Sequence, residues 1–353
     1  MSQETSVKPG PRERSLNDVR AIIPESCYER SVPKATKALV QASVLYVLPM
    51  IGLAITNNIW ALLGLWALTG LAIAGLFVLG HDASHNALLD SRRMNRIIAQ
   101  VCMGPSVHVE SAWDLGHNRI HHGYTSRQGF DFVWHPLTTE EFNKLSAFAK
   151  LRHRFEWSAF GSGAYFLREV WWQKMWRFNA PGKRHDAIVR DKIVLGTALA
   201  VFVAALAVLG AMTGTWLNAL WMPTKMLVIP FLVFMQIFGW TVYVHHVDPE
   251  IRWWARREWS QFQGQMESTT ILDFPKIINY LWFYNIFVHV PHHVDARLPF
   301  HQLPKAAAAI QNAYPDTVRS GKYSARTYMN AVRTCKLYDF EAGTWLPYSA
   351  ARS

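Results

Sequence analysis

Four groups of histidines stand out: His81 and His85; His117, His121 and His122; the adjacent pair His245 and His246; and His289, His292 and His293. Together they hold ten of the fifteen histidines in the chain. Residues four apart share one face of a helix, so His81/His85 and His117/His121 each aim two imidazoles the same way, with His122 close enough to join. Imidazole ligates iron, zinc, copper and nickel. One zinc takes about four ligands, so the eight histidines of the three larger groups, with one or both of His245 and His246, suit two metals. No HExxH is present, and no paired ExxH of the carboxylate-bridged di-iron bundles. Cys27, Cys102 and Cys335 form no CxxC, which excludes a thiolate-zinc or iron–sulfur motif and any disulfide framework.

Such a centre needs rigid elements, and the composition says which. Half of the 353 residues are hydrophobic, with sixteen Trp and nineteen Phe, yet the net charge is +11. Dispersed basic residues among interfacial aromatics indicate a membrane protein with basic surfaces and argue against a nucleic-acid binder. Residues 1–37 are polar and form an N-terminal segment without the pattern of a cleaved leader. Apolar runs then follow at 38–55, 59–80, 192–212 and 226–244, and each is expected to span the bilayer. The second ends directly at His81 and the fourth directly at His245.

The link Thr56-Asn57-Asn58 is uncharged, and Thr213 to Lys225 carries a single charge, whereas the segment between the second and third runs is rich in Arg and Lys. The positive-inside rule therefore places both termini, the central segment and all four histidine groups on the cytoplasmic side. Ile97 to Val109 and Ile277 to Val288 are too short to span and are read as interfacial or re-entrant helices that carry the second and third clusters back to the site. Trp171-Trp172 and Trp253-Trp254 suit either a headgroup-level belt or ordinary packing. Asp82, Asp114, Asp131, Asp248 and Asp295 lie beside the clusters as candidates to orient the rings. A metal pair at the end of an apolar bundle is placed to activate O₂ against a hydrocarbon. The expected architecture is all-α and integral to the membrane: four transmembrane helices with a cytoplasmic helical cap that carries the histidines.

The pattern HxxxH, HxxxHH and HxxHH, its first box directly after a span, resembles the membrane-bound fatty acid desaturases, most closely the Δ12 (omega-6) acyl-lipid branch. The likeness runs from about Leu76 to Leu346 and includes Gly80-His81-Asp82, Asp131 with Trp134 and Pro136, Trp171-Trp172, His245-His246 before Asp248-Pro249, Pro299, and Cys335-Lys336-Leu337-Tyr338-Asp339. It implies one desaturase domain over 38–346 and a short tail at 347–353.

Carried over by position, the resemblance implies a non-haem di-iron centre on His81, His85, His117, His121, His122, His289, His292 and His293. His246 is the expected ninth ligand and His245 the alternative. It implies O₂ as co-substrate and an acyl chain held on a lipid, coenzyme A or acyl carrier protein. Electrons would come from a separate ferredoxin or cytochrome b5-type carrier with its reductase. Ala83-Ser84 stand where that branch has Cys-Gly, Asp114 where a basic residue is common, and Ser126 where Asn is usual. These departures leave every ligand position intact and bear on substrate and outcome, since acetylenases and hydroxylases use the same scaffold. A histidine-rich metal or haem transporter is the reading from another class, but it would place its ligands within spans near the midplane.

Overall fold

The computed structural model describes residues 14–178 and 180–352, so the first thirteen residues of the N-terminal segment and Ser353 of the tail lie outside the description. Among the described residues, four helices are long and apolar enough to cross a membrane: Val32–Ile55, Ile59–Ser84, Lys183–Met212 and Trp216–His246. Each contains its expected apolar run and extends past it, because helical hydrogen bonding continues where hydropathy ends. The first pair is joined at Asn58, whose Oδ1 accepts from Trp60 N (3.0 Å) and Ala61 N (3.1 Å) and so caps the second helix. That second helix is the most enclosed of the four, buried continuously from Ala72 to Ser84. The third helix leaves Ile193, Val194, Val201 and Val208 exposed, as a lipid-facing helix must.

The fourth span departs from expectation. Thr213 to Lys225 is not a link: helix resumes at Trp216, passes Pro223, and continues through a π-helical turn at Thr224–Val228. Proline removes one backbone donor, and a widened turn is a common local response. The turn carries Lys225 inward until it is only 1% exposed. Its Nζ donates to Thr56 O (3.0 Å), Asn57 Oδ1 (3.1 Å) and Ala54 O (3.4 Å), closing the carbonyl end of the first span. Its own carbonyl accepts from Trp66 Nε1 (2.9 Å). Lys225→Met keeps the length and removes the donors. It is expected to destabilise the folded protein by about 2 kcal/mol, read as a lower thermal midpoint in detergent. An unchanged midpoint would refute this clasp.

Close approach also joins the fourth span to the cap. A Cβ on Gly239 would run into the Ser162 carbonyl, and one on Gly163 would meet Gln236 Cα, so Ser162–Tyr165 lies directly against the span. The cap is otherwise short helices, with two small exceptions to the all-α expectation. Thr270–Asp273 pairs in parallel with Arg319–Lys322, and Leu337–Asp339 pairs antiparallel with Thr344–Leu346. Trp253 and Trp254 are buried inside the cap, so packing and not a headgroup belt accounts for them, while Trp172 is exposed.

The two short apolar segments do carry clusters. Arg92–Met103 packs on the second span through Ala99, Cys102 and Met103 and leaves Met94, Ile97 and Val101 exposed. It leads into the helix that begins at Glu110. Near 277–288 the chain reverses at Tyr284 (φ 43°) and Asn285 (φ 63°). That strained turn is held by Asn285 N donating to Asn279 Oδ1 (3.0 Å) and Asn279 Nδ2 donating to Asn285 Oδ1 (2.7 Å). The helix His289–Val294 follows.

Candidate metal centre

The histidines converge into two groups. Ligand nitrogens of His81, His85, His117, His122 and His292 lie within 4.8 Å of one another, and so do those of His121, His246 and His293. His289 joins the second group through Nε2, 3.1 Å from Nε2 of His293. His245 belongs to neither; its ring stacks on His289 at 4.0 Å.

The local backbone decides this partition. The second span stays helical through Ser84, so His81 and His85 remain on one face, as the spacing implies. In the second cluster, Asp114–His121 is π-helical and His122 N donates to His117 O (3.0 Å). Five residues of α-helix would separate two side chains by about 140°. The wider turn instead brings Nε2 of His122 within 3.2 Å of Nε2 of His117. His121, expected beside His117, turns to the other group, its ring 4.7 Å from His246 and 5.0 Å from His293. His292 and His293, adjacent on a helix, likewise part: the His292 ring lies 4.5 Å from His81, whereas His293 serves the second group. The fourth span ends at His246, and its last turn aims that residue, not His245, at the second group.

These residues fit metal ions. His81 and His117 face each other Nε2 to Nε2 at 2.9 Å. Buried Nε2 of His85 and both ring nitrogens of His292 have no hydrogen-bond partner among the described residues, an expensive state unless a cation accepts their lone pairs. Burial first, then neighbouring imidazoles, hold His85, His117, His122, His289 and His293 well below the ordinary imidazole range. They are therefore neutral at physiological pH, the state in which imidazole ligates.

Of the five aspartates singled out, two orient rings. Asp82 Oδ1 accepts from His81 Nδ1 (3.2 Å), and its Oδ2 from Phe300 N (3.0 Å). Asp131 Oδ1 lies 2.9 Å from His121 Nδ1 and also accepts from Val133 N, while its Oδ2 accepts from Ser126 N (2.8 Å). Ser126 sits at φ 55°, a conformation Asn tolerates well, which explains why that side chain is usual here. Asp114, Asp248 and Asp295 instead pair with Arg119, Arg319 and Arg297. Ser84, another departure, accepts from Asn118 Nδ2 (2.8 Å) and so ties the first cluster to the second.

Sequence reasoning missed Gln265. Its Oε1 lies 2.9 Å from His293 Nδ1, and its Nε2 donates to His122 O (2.5 Å), spanning both groups. One of three glutamines in the short helix Gln261–Met266, Gln265 gives no local signal of that role. Removing a group that orients a ligand costs about 10–100-fold in metal affinity. Asp131→Ala is expected to fall in that range and Asp131→Asn, which can still accept from His121, nearer the lower end. Metal titration of both variants checks it, and wild-type affinity in Asp131→Ala would contradict the orienting role.

A narrow cavity of ≈ 40 Å³ reaches the histidines from one side, lined by His81, His117, His121, His245, His246 and His289 at one end. Phe166, Val170, Met175, Phe238 and Val242 make the rest apolar, and Lys174 is its one charged lining residue. The arrangement sets an apolar slot against both groups of imidazoles.

Known proteins are similar to this chain in sequence. The sequence profile of the fatty acid desaturase family ("Fatty acid desaturase") matches residues 58–322. The chain is 29% identical to the sn-1 oleoyl-lipid 12-desaturase of a Picosynechococcus species over 92% of its length and 90% of that protein's. It is 29% identical to the protein of the same name from Anabaena variabilis, with 97% and 95% covered. It is 27% identical to the chloroplastic omega-6 fatty acid desaturase of Glycine max, with 93% and 74% covered. With four membrane-spanning helices, two groups of buried histidines and a family profile that matches most of its length, the chain belongs to the fatty acid desaturase family.

Proposed function

We propose that this membrane desaturase holds two iron ions and introduces a Δ12 (omega-6-type) double bond into the acyl chain of a membrane lipid. The observation that carries the reading is the meeting of five and four imidazoles at the end of an apolar slot. His81, His85, His117, His122 and His292 would hold one ion, and His121, His246, His289 and His293 the other. Bound there, the pair supplies O₂-dependent removal of two hydrogens from adjacent carbons. The names of the relatives support the lipid-linked substrate and the bond position.

The protein's own share is placement. Phe166, Val170 and Phe238 keep water from the chain and align its methylenes with the histidines. Lys174, at the same slot, is the side chain suited to the polar end of the substrate. Asp82, Asp131 and Gln265 fix ring orientation. The histidine ends of the second and fourth spans face the cytoplasm, where a soluble or membrane-bound carrier, ferredoxin or cytochrome b5 with its reductase, delivers electrons.

Two measurements test this. Iron per purified chain is expected near two, and expression in a host of defined fatty acids should yield a new Δ12 double bond. A hydroxylated or acetylenic product would move the chain to another activity on the same scaffold, and stoichiometric zinc would remove the redox reading. Topology is tested separately: reporters placed after Thr56 and at Gly214 should both read as non-cytoplasmic, and a cytoplasmic signal from either would overturn the orientation.

A further inference from the structure

A second cavity, ≈ 880 Å³, shares no lining residue with the histidine slot. It opens where the first turns of the first span meet the segment 276–280 and the parallel strand pair. The wall between the two spaces is aromatic: Phe274, which lines the cavity, stacks on Phe287 at 4.2 Å, and Phe287 meets His245 of the slot at 5.4 Å. We propose that this cavity binds one membrane phospholipid with an anionic headgroup, its phosphate among Lys34, Lys37, Lys276 and Lys322 and part of an acyl chain on the apolar floor.

Charge and polarity are segregated as such a ligand requires. The four lysines line the cavity and all are exposed, while Asp273 is its one acidic lining residue. Lys34, Lys276 and Lys322 make no ion pair among the described residues, and Lys37 lies over the Tyr280 ring at 5.6 Å. His301, also in the lining, has a buried Nδ1 without a hydrogen-bond partner among the described residues. Below this rim the floor is Ala38, Phe274, Tyr284, Phe300 and Ala307. A free phosphate would need the rim and not the floor, and a docked protein would need no deep concavity. A volume of this order suits a ligand of lipid size.

Position completes the argument. Lys34 and Lys37 stand one turn apart at the start of the first span, with Gln41 a further turn on. Ile277 and Tyr280, exposed by 69% and 54%, sit beside the opening. Basic residues at a span end beside exposed apolar and aromatic side chains mark headgroup depth, where lysine clusters attract anionic lipid.

Native mass spectrometry of the detergent-purified, metal-loaded protein tests this with dioleoyl-phosphatidylglycerol and dioleoyl-phosphatidylcholine as probes. One phosphatidylglycerol per chain is expected, retained about tenfold better than phosphatidylcholine. Lys276→Glu with Lys322→Glu, both at exposed positions, should abolish that preference. Ala307→Trp, which fills the floor and leaves the charges alone, should lower retention of both lipids. Metal content and thermal midpoint at wild-type values establish that each variant is folded; if Ala307→Trp is not, the charge variants alone decide. Equal retention of the two lipids would overturn the proposal, as would an undiminished preference in the double charge variant. Displacement of the lipid by millimolar inorganic phosphate would reduce the site to an anion site, and displacement by an acidic ferredoxin would make it a carrier-docking surface. The outcome is independent of whether the histidine centre proves to be a desaturase, because neither probe nor readout involves turnover.

Discussion

Alanine at position 292 is expected to abolish turnover while the protein stays inserted in the membrane and folded. His292 is buried in the middle of the first histidine group, with ring centroids 4.5 Å from His81, 4.9 Å from His85 and 4.8 Å from His122. Neither of its ring nitrogens is used in a hydrogen bond among the described residues, so the fold draws little from it beyond packing. The site, by contrast, loses one of five nitrogens. Orienting groups alone cost about 10–100-fold in metal affinity when removed, and a direct ligand should cost more. Metal per chain should fall by about one, with the product undetectable in the lipid profile. His117→Ala should behave alike, since its Nε2 lies against both His81 and His122. Near-normal desaturation in either variant would remove the assignment of the first group.

The pair at the end of the fourth span should separate just as clearly. His246 belongs to the second group, and its Nδ1 is held by the Ser268 carbonyl at 3.2 Å, leaving Nε2 for a metal. His246→Ala is expected to lose the second metal and, with it, activity. His245 stacks on His289 and lines the slot, so His245→Ala should keep both metals and lose activity only through a looser fit of the acyl chain. Metal analysis of the two purified variants separates them. Full metal in His246→Ala together with depletion in His245→Ala would exchange their roles.

Much of this molecule could be read from residue order alone. Four apolar runs, each long enough to cross the bilayer, lie within the four long helices. The spacing of His81 and His85 survived intact because the second span continues as regular helix through Ser84. Charge asymmetry and the placement of clusters at span ends pointed to one shared site, and the histidines do meet. These features are legible because hydropathy and helical periodicity are local: they depend on neighbours a few residues away.

Which histidine joins which group is not local. Adjacent residues such as His121 and His122, or His292 and His293, diverge to different groups. The π-helical widening at Asp114–His121 and the approach of distant segments set that divergence, and helical spacing taken alone pairs His117 with the wrong partner. Lys225 reads in sequence as the one charge of a loop, yet a turn following Pro223 buries it as a clasp on the first hairpin. Gln265 reads as an ordinary glutamine until the fold sets it between His122 and His293. In each case the deciding hydrogen bond joins residues remote in the chain or depends on a non-standard turn. Residue types and spacing determined that this protein gathers imidazoles at the end of a membrane bundle; tertiary packing decided how they divide into two groups, because only packing sets the direction in which each ring points.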